Sequence, residues 1–207
     1  MSNTARRVLT SFAMAAALAA AAWFGLVRWL AVAVAVGMGI EIMAAKIKSK
    51  TKINPVSCIL FAAYYVLFVA SAYAVAAGPW KMLLLFLIIA GADMGAWFFG
   101  QKIKGDKMWE RISPGKTWAG QIAGIICGTA AGVMYGLLGA DVFMPQLMWI
   151  GIGVSLLSQY GDLAASAIKR RFGVKDFGRV LPGHGGLADR FDGWIFVLPI
   201  IWLATQG

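Results

Sequence analysis

Nine acidic residues stand among 19 lysines and arginines in this chain of 207 residues, and Asp162 has the most unusual surroundings of them. It lies in the apolar segment that contains residues 158–163, and Ser166 and Lys169 follow it at helical spacing. Residues three and four apart share a helix face, so the three form one polar stripe. Acidic groups inside apolar membrane-type segments usually have a function. The alternative interpretation is a buried Asp–Lys ion pair that fixes helix packing.

The segment 169–192 combines basic residues, carboxylates and glycines. Three glycines flank His184, and such a turn lets backbone N–H groups approach an anion, while the nearby lysines and arginines add positive potential. Asp189 and Asp192 can hold a divalent cation whose other ligands are phosphates. This equipment suits phosphoryl or nucleotidyl transfer. His184 by itself is a weak indication of a base, since it can equally donate to a phosphate or cap the turn.

A shorter motif places Lys116 between two hydroxyl residues, Ser113 and Thr117. Either hydroxyl can simply cap the helix that follows. A lysine beside two hydroxyls in a small turn is also a suitable phosphate site, although the spacing is not that of a P-loop. Asp93, in the preceding apolar run, can join the same cavity. Glu41 is expected to pair with nearby lysines in a structural role.

The composition limits which elements can position these residues. The chain is 60% hydrophobic and 14% charged, whereas soluble domains average about 45–50% apolar and about 25% charged residues. Soluble globular, disordered and nucleic-acid-binding proteins are therefore excluded. With one histidine and two cysteines, a bound metal would need mainly carboxylate ligands, which favours a hard cation such as Mg²⁺.

The hydrophobic pattern predicts an all-α, polytopic integral membrane protein with about seven transmembrane helices and cytoplasmic catalytic loops. A bilayer core needs about 20 mostly apolar residues per helix, and the second and last segments are short for that. Proline stands at or just before three of the starts. The predicted spans are 8–27, 29–45, 54–77, 81–100, 117–139, 145–168 and 191–206.

The basic residues predict the orientation of these spans. If the N-terminus is cytoplasmic, every lysine and arginine except Arg28 and Lys81 falls on the cytoplasmic side, as the positive-inside rule expects. Both polar segments, 101–116 and 169–190, then face the cytoplasm. The run 8–27 also resembles a cleavable signal peptide, but its length favours a retained helix, and cleavage would leave the orientation unchanged.

A stripe of glycines at every fourth position of the fifth span predicts close helix packing. We favour packing within one subunit, and a homodimer interface is the alternative. The glycines are Gly120, Gly124, Gly128, Gly132 and Gly136.

Taken together, these motifs resemble the phosphatidate cytidylyltransferase (CDP-diacylglycerol synthase) family. The run Ser166–Asp192 fits the family signature throughout, and Gly161–Leu163 and Ile112–Thr117 resemble upstream elements. The match covers about residues 90–207, so we divide the single membrane domain into N-terminal helices (1–89) and a C-terminal catalytic region (90–207). The resemblance also implies members that are longer at the N-terminus.

The resemblance implies that CMP passes from CTP to phosphatidate, giving CDP-diacylglycerol and pyrophosphate, with Mg²⁺ and a second, monovalent cation such as K⁺. It implies Asp162 and Asp189 as metal-binding carboxylates, with Lys116, Ser166 and Lys169 completing the catalytic set. The expected substrate-binding residues are Ser113, Thr117, Arg170, Lys175, Asp176, His184, Gly185, Gly186, Arg190 and Asp192. The expected partners are CTP, phosphatidate and the bilayer of a bacterial inner membrane, with no nucleic acid.

Two positions depart from the family pattern, because Ala119 and Ala165 stand where members often carry glutamate. The loss of two acidic groups can alter metal affinity or leave a catalytically impaired relative, but the intact long signature favours retained activity. A lipid nucleotidyltransferase or CTP-dependent lipid kinase with another acceptor is the second hypothesis. A transporter is disfavoured, since the charges gather at one rim and no internal repeat is present.

Overall fold

The computed structural model describes residues 13–14, 16–18, 20–49, 51–52, 54–103, 105–138, 144–182 and 185–206. The described residues between 13 and 23 are helical. Six further helices and one pair of strands follow them. In chain order these are α1 (Val27–Ser49), α2 (Pro55–Val75), α3 (Pro79–Ile103), β1 (Lys107–Trp109), β2 (Ser113–Thr117), α4 (Trp118–Leu137), α5 (Met144–Arg171) and α6 (Trp194–Ala204).

The described part of the chain thus has seven helical segments, which confirms the all-α polytopic prediction. Four of these helices, α1 to α4, are long and apolar enough to cross a membrane. Helix α6 has 11 residues and, at about 1.5 Å per residue, is shorter than the roughly 30 Å of a hydrocarbon core. Pro55 and Pro79 begin helices as predicted, since the missing N–H costs little there.

The segment between α3 and α4 forms a hairpin rather than the irregular loop expected of an all-α chain. Strands β1 and β2 pair antiparallel, with Lys107 opposite Thr117 and Trp109 opposite Ser113. The hairpin is closed at its base by a bond from the Trp118 N–H to the Asp106 carbonyl, 3.0 Å long. Strand pairing satisfies backbone groups that a polar connection would otherwise leave unpaired.

The contacts divide the chain into two compact units. The first unit comprises Met1–Pro79 and Ile168–Gly207, and the second comprises Trp80–Ala167. Helix α5 contributes residues to both units. The division predicted at residues 89 and 90, which marked where the resemblance begins, stays a prediction.

In the second unit, the glycine stripe of α4 packs against α3. A Cβ at Gly120 would lie 2.9 Å from the Ala96 carbonyl, and one at Gly124 would lie 2.8 Å from the Ala92 carbonyl. Such approach is open only to glycine, and it lets backbones meet at van der Waals distance. The favoured interpretation of packing within one chain is confirmed for these glycines, and homodimerisation stays a prediction.

In the first unit, one face of α1 is buried, with Ala35, Met38, Ile42 and Ala45 on it. Tyr64 of α2 donates to the Ile195 carbonyl of α6 over 3.0 Å. The glycines of α1 admit close neighbours, because a Cβ at Gly37 would lie 2.8 Å from the Leu187 side chain. The segment that follows α5 therefore lies directly on α1.

Candidate functional site

Lys116 and Asp162 form an ion pair in the second unit. The Lys116 Nζ lies 2.8 Å from an Asp162 carboxylate oxygen, and their side chains are 22% and 41% exposed. The same Nζ donates to the Gln159 carbonyl over 3.0 Å. The expected Asp–Lys pair therefore exists with Lys116 as the partner, but it is accessible rather than buried. An accessible carboxylate beside an accessible ammonium can meet a cation and a phosphate at the same place.

The hairpin and α4 hold Lys116 in position. Thr117 is buried, and its hydroxyl accepts a 3.1 Å hydrogen bond from the Gly120 N–H as the N-cap of α4. The capping alternative is thus observed for Thr117. The cap fixes the residue after Lys116, and β2 fixes the residues before it. The backbone at Lys116 is therefore held on both sides.

Asp93 of α3 belongs to the same unit as Asp162 and Lys116. That it joins the cavity of the Lys116 motif stays a prediction.

Asp189 has a very different environment in the first unit. Its side chain is only 6% exposed. One oxygen accepts from the Lys169 Nζ at 3.1 Å, and the other accepts from the backbone N–H groups of Phe177 at 3.0 Å and Gly186 at 3.1 Å, with Gly178 at 3.4 Å. Charge-assisted bonds of this kind are the stronger ones. Asp189 thereby ties the start and the end of the loop 177–188 together.

Lys169 is the cation of this cluster. It is 11% exposed and lies between Asp189 and Asp192, whose carboxylate oxygen is 3.6 Å away. The ring of Phe177 is 5.3 Å from its Nζ. A buried lysine with two carboxylates has its charge fully compensated, and breaking one of these pairs would be costly.

The end of α5 sets the direction of the segment that follows it. The Gly173 N–H bonds to the Arg170 carbonyl and the Val174 N–H bonds to the Lys169 carbonyl, the two bonds of a Schellman cap. Gly173 has a φ of +68°, which glycine adopts without strain. The chain therefore reverses immediately after the helix.

The other predicted residues differ in their exposure. Ser166 is half-buried on α5, and Ser113 is half-buried on β2. Gly185 has a φ of +90° and exchanges two backbone bonds with Leu181. His184 lies outside the described residues. Arg170, Lys175, Asp176 and Arg190 are exposed.

Three contributions were not predicted. The Gln159 carbonyl and the Phe177 N–H act through the backbone, so no side-chain pattern could indicate them. Glu41 is buried, and its Oε2 accepts from the Ala188 N–H over 2.9 Å. Among the described residues, Glu41 thus pairs with the backbone of the loop 177–188, which we call the signature loop, instead of with the expected lysine.

The donor chemistry suits Mg²⁺ only in part. No group of three or more His, Cys, Asp or Glu residues able to hold a metal occurs among the described residues. Mg²⁺, however, commonly uses one or two carboxylates together with water and substrate phosphates. Asp162 fits such a role because it is accessible, whereas the Asp189 oxygens already accept from backbone and lysine donors.

A model of the cytidylyltransferase family matches residues 2–206. The chain belongs to this family. The resemblance inferred from the signature Ser166–Asp192 is therefore confirmed, and the match extends over the N-terminal helices as well as the C-terminal ones. As a family member, the chain carries its two charged clusters on helices α3 to α5 and on the loop before α6.

Individual relatives are similar to this family member over part of their length. Phosphatidate cytidylyltransferases of Staphylococcus saprophyticus and Staphylococcus haemolyticus are each 44% identical to it over 121 residues. That of Staphylococcus aureus is 46% identical over 124 residues. Each match covers 58% of the chain and 46% of the relative. The chain thus spans about half the length of the curated relatives it matches.

Proposed function

We propose that this protein transfers CMP from CTP to phosphatidate, giving CDP-diacylglycerol and pyrophosphate. The proposal is supported by the family match over residues 2–206 and by the similarity to bacterial phosphatidate cytidylyltransferases. The single structural observation behind it is the accessible Lys116–Asp162 pair. Such a pair offers one group for a phosphate and one for the cation that accompanies a nucleotide.

In the proposed reaction a phosphate oxygen of phosphatidate attacks the α-phosphorus of CTP. A new P–O bond forms there, the bond to the bridging oxygen breaks, and pyrophosphate leaves with the electron pair. Phosphate monoesters have a second pKa of about 6 and are largely ionised at neutral pH, so no strong general base is needed. The chain's task is to hold two anions together and to stabilise the charge that develops on pyrophosphate.

The residues available for that task divide by accessibility. Lys116 can donate to a phosphate oxygen because its side chain is partly exposed. Arg170, Lys175 and Arg190 are exposed and raise the positive potential of the signature loop. Lys169 is committed to Asp189 and Asp192, so we assign it to shaping the loop rather than to direct phosphate contact.

A bound Mg²⁺ would neutralise phosphate charge, and Asp162 is the carboxylate best placed by exposure to hold it. Asp189 stays a proposed second ligand, and a monovalent cation such as K⁺ stays a proposed activator. We further propose a bacterial inner membrane and a cytoplasmic N-terminus, which the one-sided basic residues and the bacterial relatives support.

The decisive experiment supplies the purified protein with phosphatidate and CTP labelled at either the α- or the γ-phosphorus. CMP transfer carries the α-label into lipid and releases the γ-label as pyrophosphate, in equal amounts and only with Mg²⁺. A CTP-dependent lipid kinase would carry the γ-label into lipid instead. Absence of both labels from lipid would favour a catalytically impaired relative, in line with Ala119 and Ala165. Replacing phosphatidate by other lipid phosphates tests the acceptor.

A further inference from the structure

Glu41 of α1 reaches the signature loop from the N-terminal half of the chain. We propose that it is a positioning residue, which holds the loop 177–188 in the conformation that encloses Asp189. The claim about loop conformation stands by itself, and its effect on turnover rests on the proposed function. Both partners belong to the first unit.

Three contacts carry the proposal. The Glu41 Oε2 accepts from the Ala188 N–H over 2.9 Å. The same carboxylate occupies the space where a Cβ of Gly178 or of Gly186 would lie, closer than real Cβ atoms come to any neighbour. A side chain at either glycine would therefore displace the Glu41 carboxylate. Neither glycine is needed for its own backbone conformation, since neither has a positive φ.

The same two glycines contact the second carboxylate from their N–H groups. Gly178 and Gly186 donate to the Asp189 Oδ2 at 3.4 and 3.1 Å. The start and the end of the loop are therefore held between two carboxylates, Asp189 on the N–H side and Glu41 on the Cα side. A shift of the start or the end of the loop would loosen the bonds that fix Asp189 and, through Asp189, the position of Lys169.

The burial of Glu41 argues against a role in general packing alone. The residue is 6% exposed, and its Oε1 has no hydrogen-bond partner among the described residues. Burying a carboxyl group with one unpaired oxygen costs free energy that a leucine or methionine would not. A polar residue at this position is explained by its bond to the loop backbone.

The experiment measures hydrogen–deuterium exchange of the loop amides in the purified full chain without substrate. For Glu41→Ala, exchange at residues 177–181 and 185–188 should rise about tenfold or more, because a buried donor loses its acceptor. Glu41→Gln keeps an acceptor oxygen and the volume, so its exchange should stay within about threefold of wild type. The matched control is Gly153→Ala, since a Cβ at Gly153 meets nothing within 4 Å.

A double-mutant cycle separates positioning from simple stability. Gly186→Ala alone should loosen the loop because its methyl group meets the Glu41 carboxylate. Combined with Glu41→Ala, the same change should have a smaller effect, since the carboxylate is gone. Strict additivity of the two substitutions, or unchanged loop exchange in Glu41→Ala, would overturn the proposal. If Glu41→Ala does not fold, loop exchange in Gly178→Ala and Gly186→Ala is compared with that in Gly153→Ala, and equal exchange in all three variants would overturn the proposal.

Turnover then tests the functional consequence. We expect kcat for CMP transfer to fall about tenfold in Glu41→Ala and to recover in Glu41→Gln, at temperatures well below the unfolding midpoint of each variant. A wild-type protein without CMP transfer would overturn the proposed function but leave the exchange result valid. If the wild type is active and loop exchange in Glu41→Ala equals that of the wild type, only the role of Glu41 is overturned.

Discussion

Among the described residues, two of the Lys–Asp pairs are of nearly equal length but lie in opposite environments. Lys116 and Asp162 lie 2.8 Å apart with side chains 22% and 41% exposed, while Lys169 and Asp189 lie 3.1 Å apart with side chains 11% and 6% exposed. The exposed Asp162 pairs with a lysine, whereas the buried Asp189 also accepts from the backbone N–H groups of Phe177 and Gly186.

This difference separates a carboxylate that organises the protein from one that is available for chemistry. Exposed ion pairs contribute about 0–1 kcal/mol to stability, so Asp162 can exchange its lysine for a cation at little cost. Loss of one partner of a buried pair costs about 3–5 kcal/mol, so the same exchange is far less favourable at Asp189. Family resemblance assigns both residues to the metal, and only accessibility distinguishes them.

The largest effect should come from the buried pair. Asp189→Asn removes the charge opposite Lys169 and turns an amide N–H₂ toward backbone donors. The free energy of unfolding should therefore fall by about 3 kcal/mol, and CMP transfer should be lost. Thermal unfolding in detergent, followed by tryptophan fluorescence, measures the first effect. Glu110→Gln, which removes an exposed carboxylate of the hairpin, should leave the midpoint unchanged.

A midpoint for Asp189→Asn equal to that of wild type would show that the loop does not depend on this carboxylate. The contrast between the two pairs would then be wrong. Loss of activity at full stability would instead move Asp189 into the same class as Asp162, as a residue needed mainly by the substrates.

The second effect concerns activity alone. Asp162→Asn keeps the shape of the side chain and removes only an exposed pair, so stability should change by less than about 1 kcal/mol. CMP transfer should fall by at least about a hundredfold, because this carboxylate is the proposed cation ligand and its electrostatic contribution to the transition state is lost. The radiolabelled lipid assay and the unfolding midpoint are measured on the same preparation. Near-normal turnover would exclude the assignment.

Much of the fold could be predicted from the sequence because the bilayer imposes simple rules. Hydrophobic length predicts helices, and proline at 55 and 79 marks two of their starts. The hairpin of β1 and β2 was not predicted, since its strands have three and five residues and show no alternating pattern. The shortness of α6 also depends on the turns that precede it, which hydropathy does not indicate.

The candidate site was predicted by residue type but not by environment. The signature Ser166–Asp192 indicated Asp189, and the upstream element Gly161–Leu163 indicated Asp162. Neither pattern could show that Asp189 is enclosed while Asp162 is exposed. Burial depends on the loop backbone at Phe177 and Gly186, whose N–H groups have no sequence signal. Glu41 lies far from the signature along the chain, so only the folded structure could connect them.

The smallest effect should come from Lys116, and it tests whether the exposed pair is a cation site. Lys116→Gln removes a positive charge 2.8 Å from Asp162, so a divalent cation no longer competes with an ammonium group. One unit charge at this separation, partly screened by solvent, is worth roughly 1.4 kcal/mol or more, so Mn²⁺ alone should bind about tenfold more tightly.

Electron paramagnetic resonance of free Mn²⁺, without CTP or lipid, measures this affinity, and Lys107→Gln on the same hairpin is the matched control because Lys107 donates to the Pro114 carbonyl. CMP transfer by Lys116→Gln should nevertheless fall severalfold, because a phosphate contact is lost. Tighter cation binding with slower transfer is a combination that a purely structural ion pair does not produce. Unchanged Mn²⁺ affinity in Lys116→Gln would instead make the exposed pair a structural contact, and the cation ligands would have to be sought elsewhere.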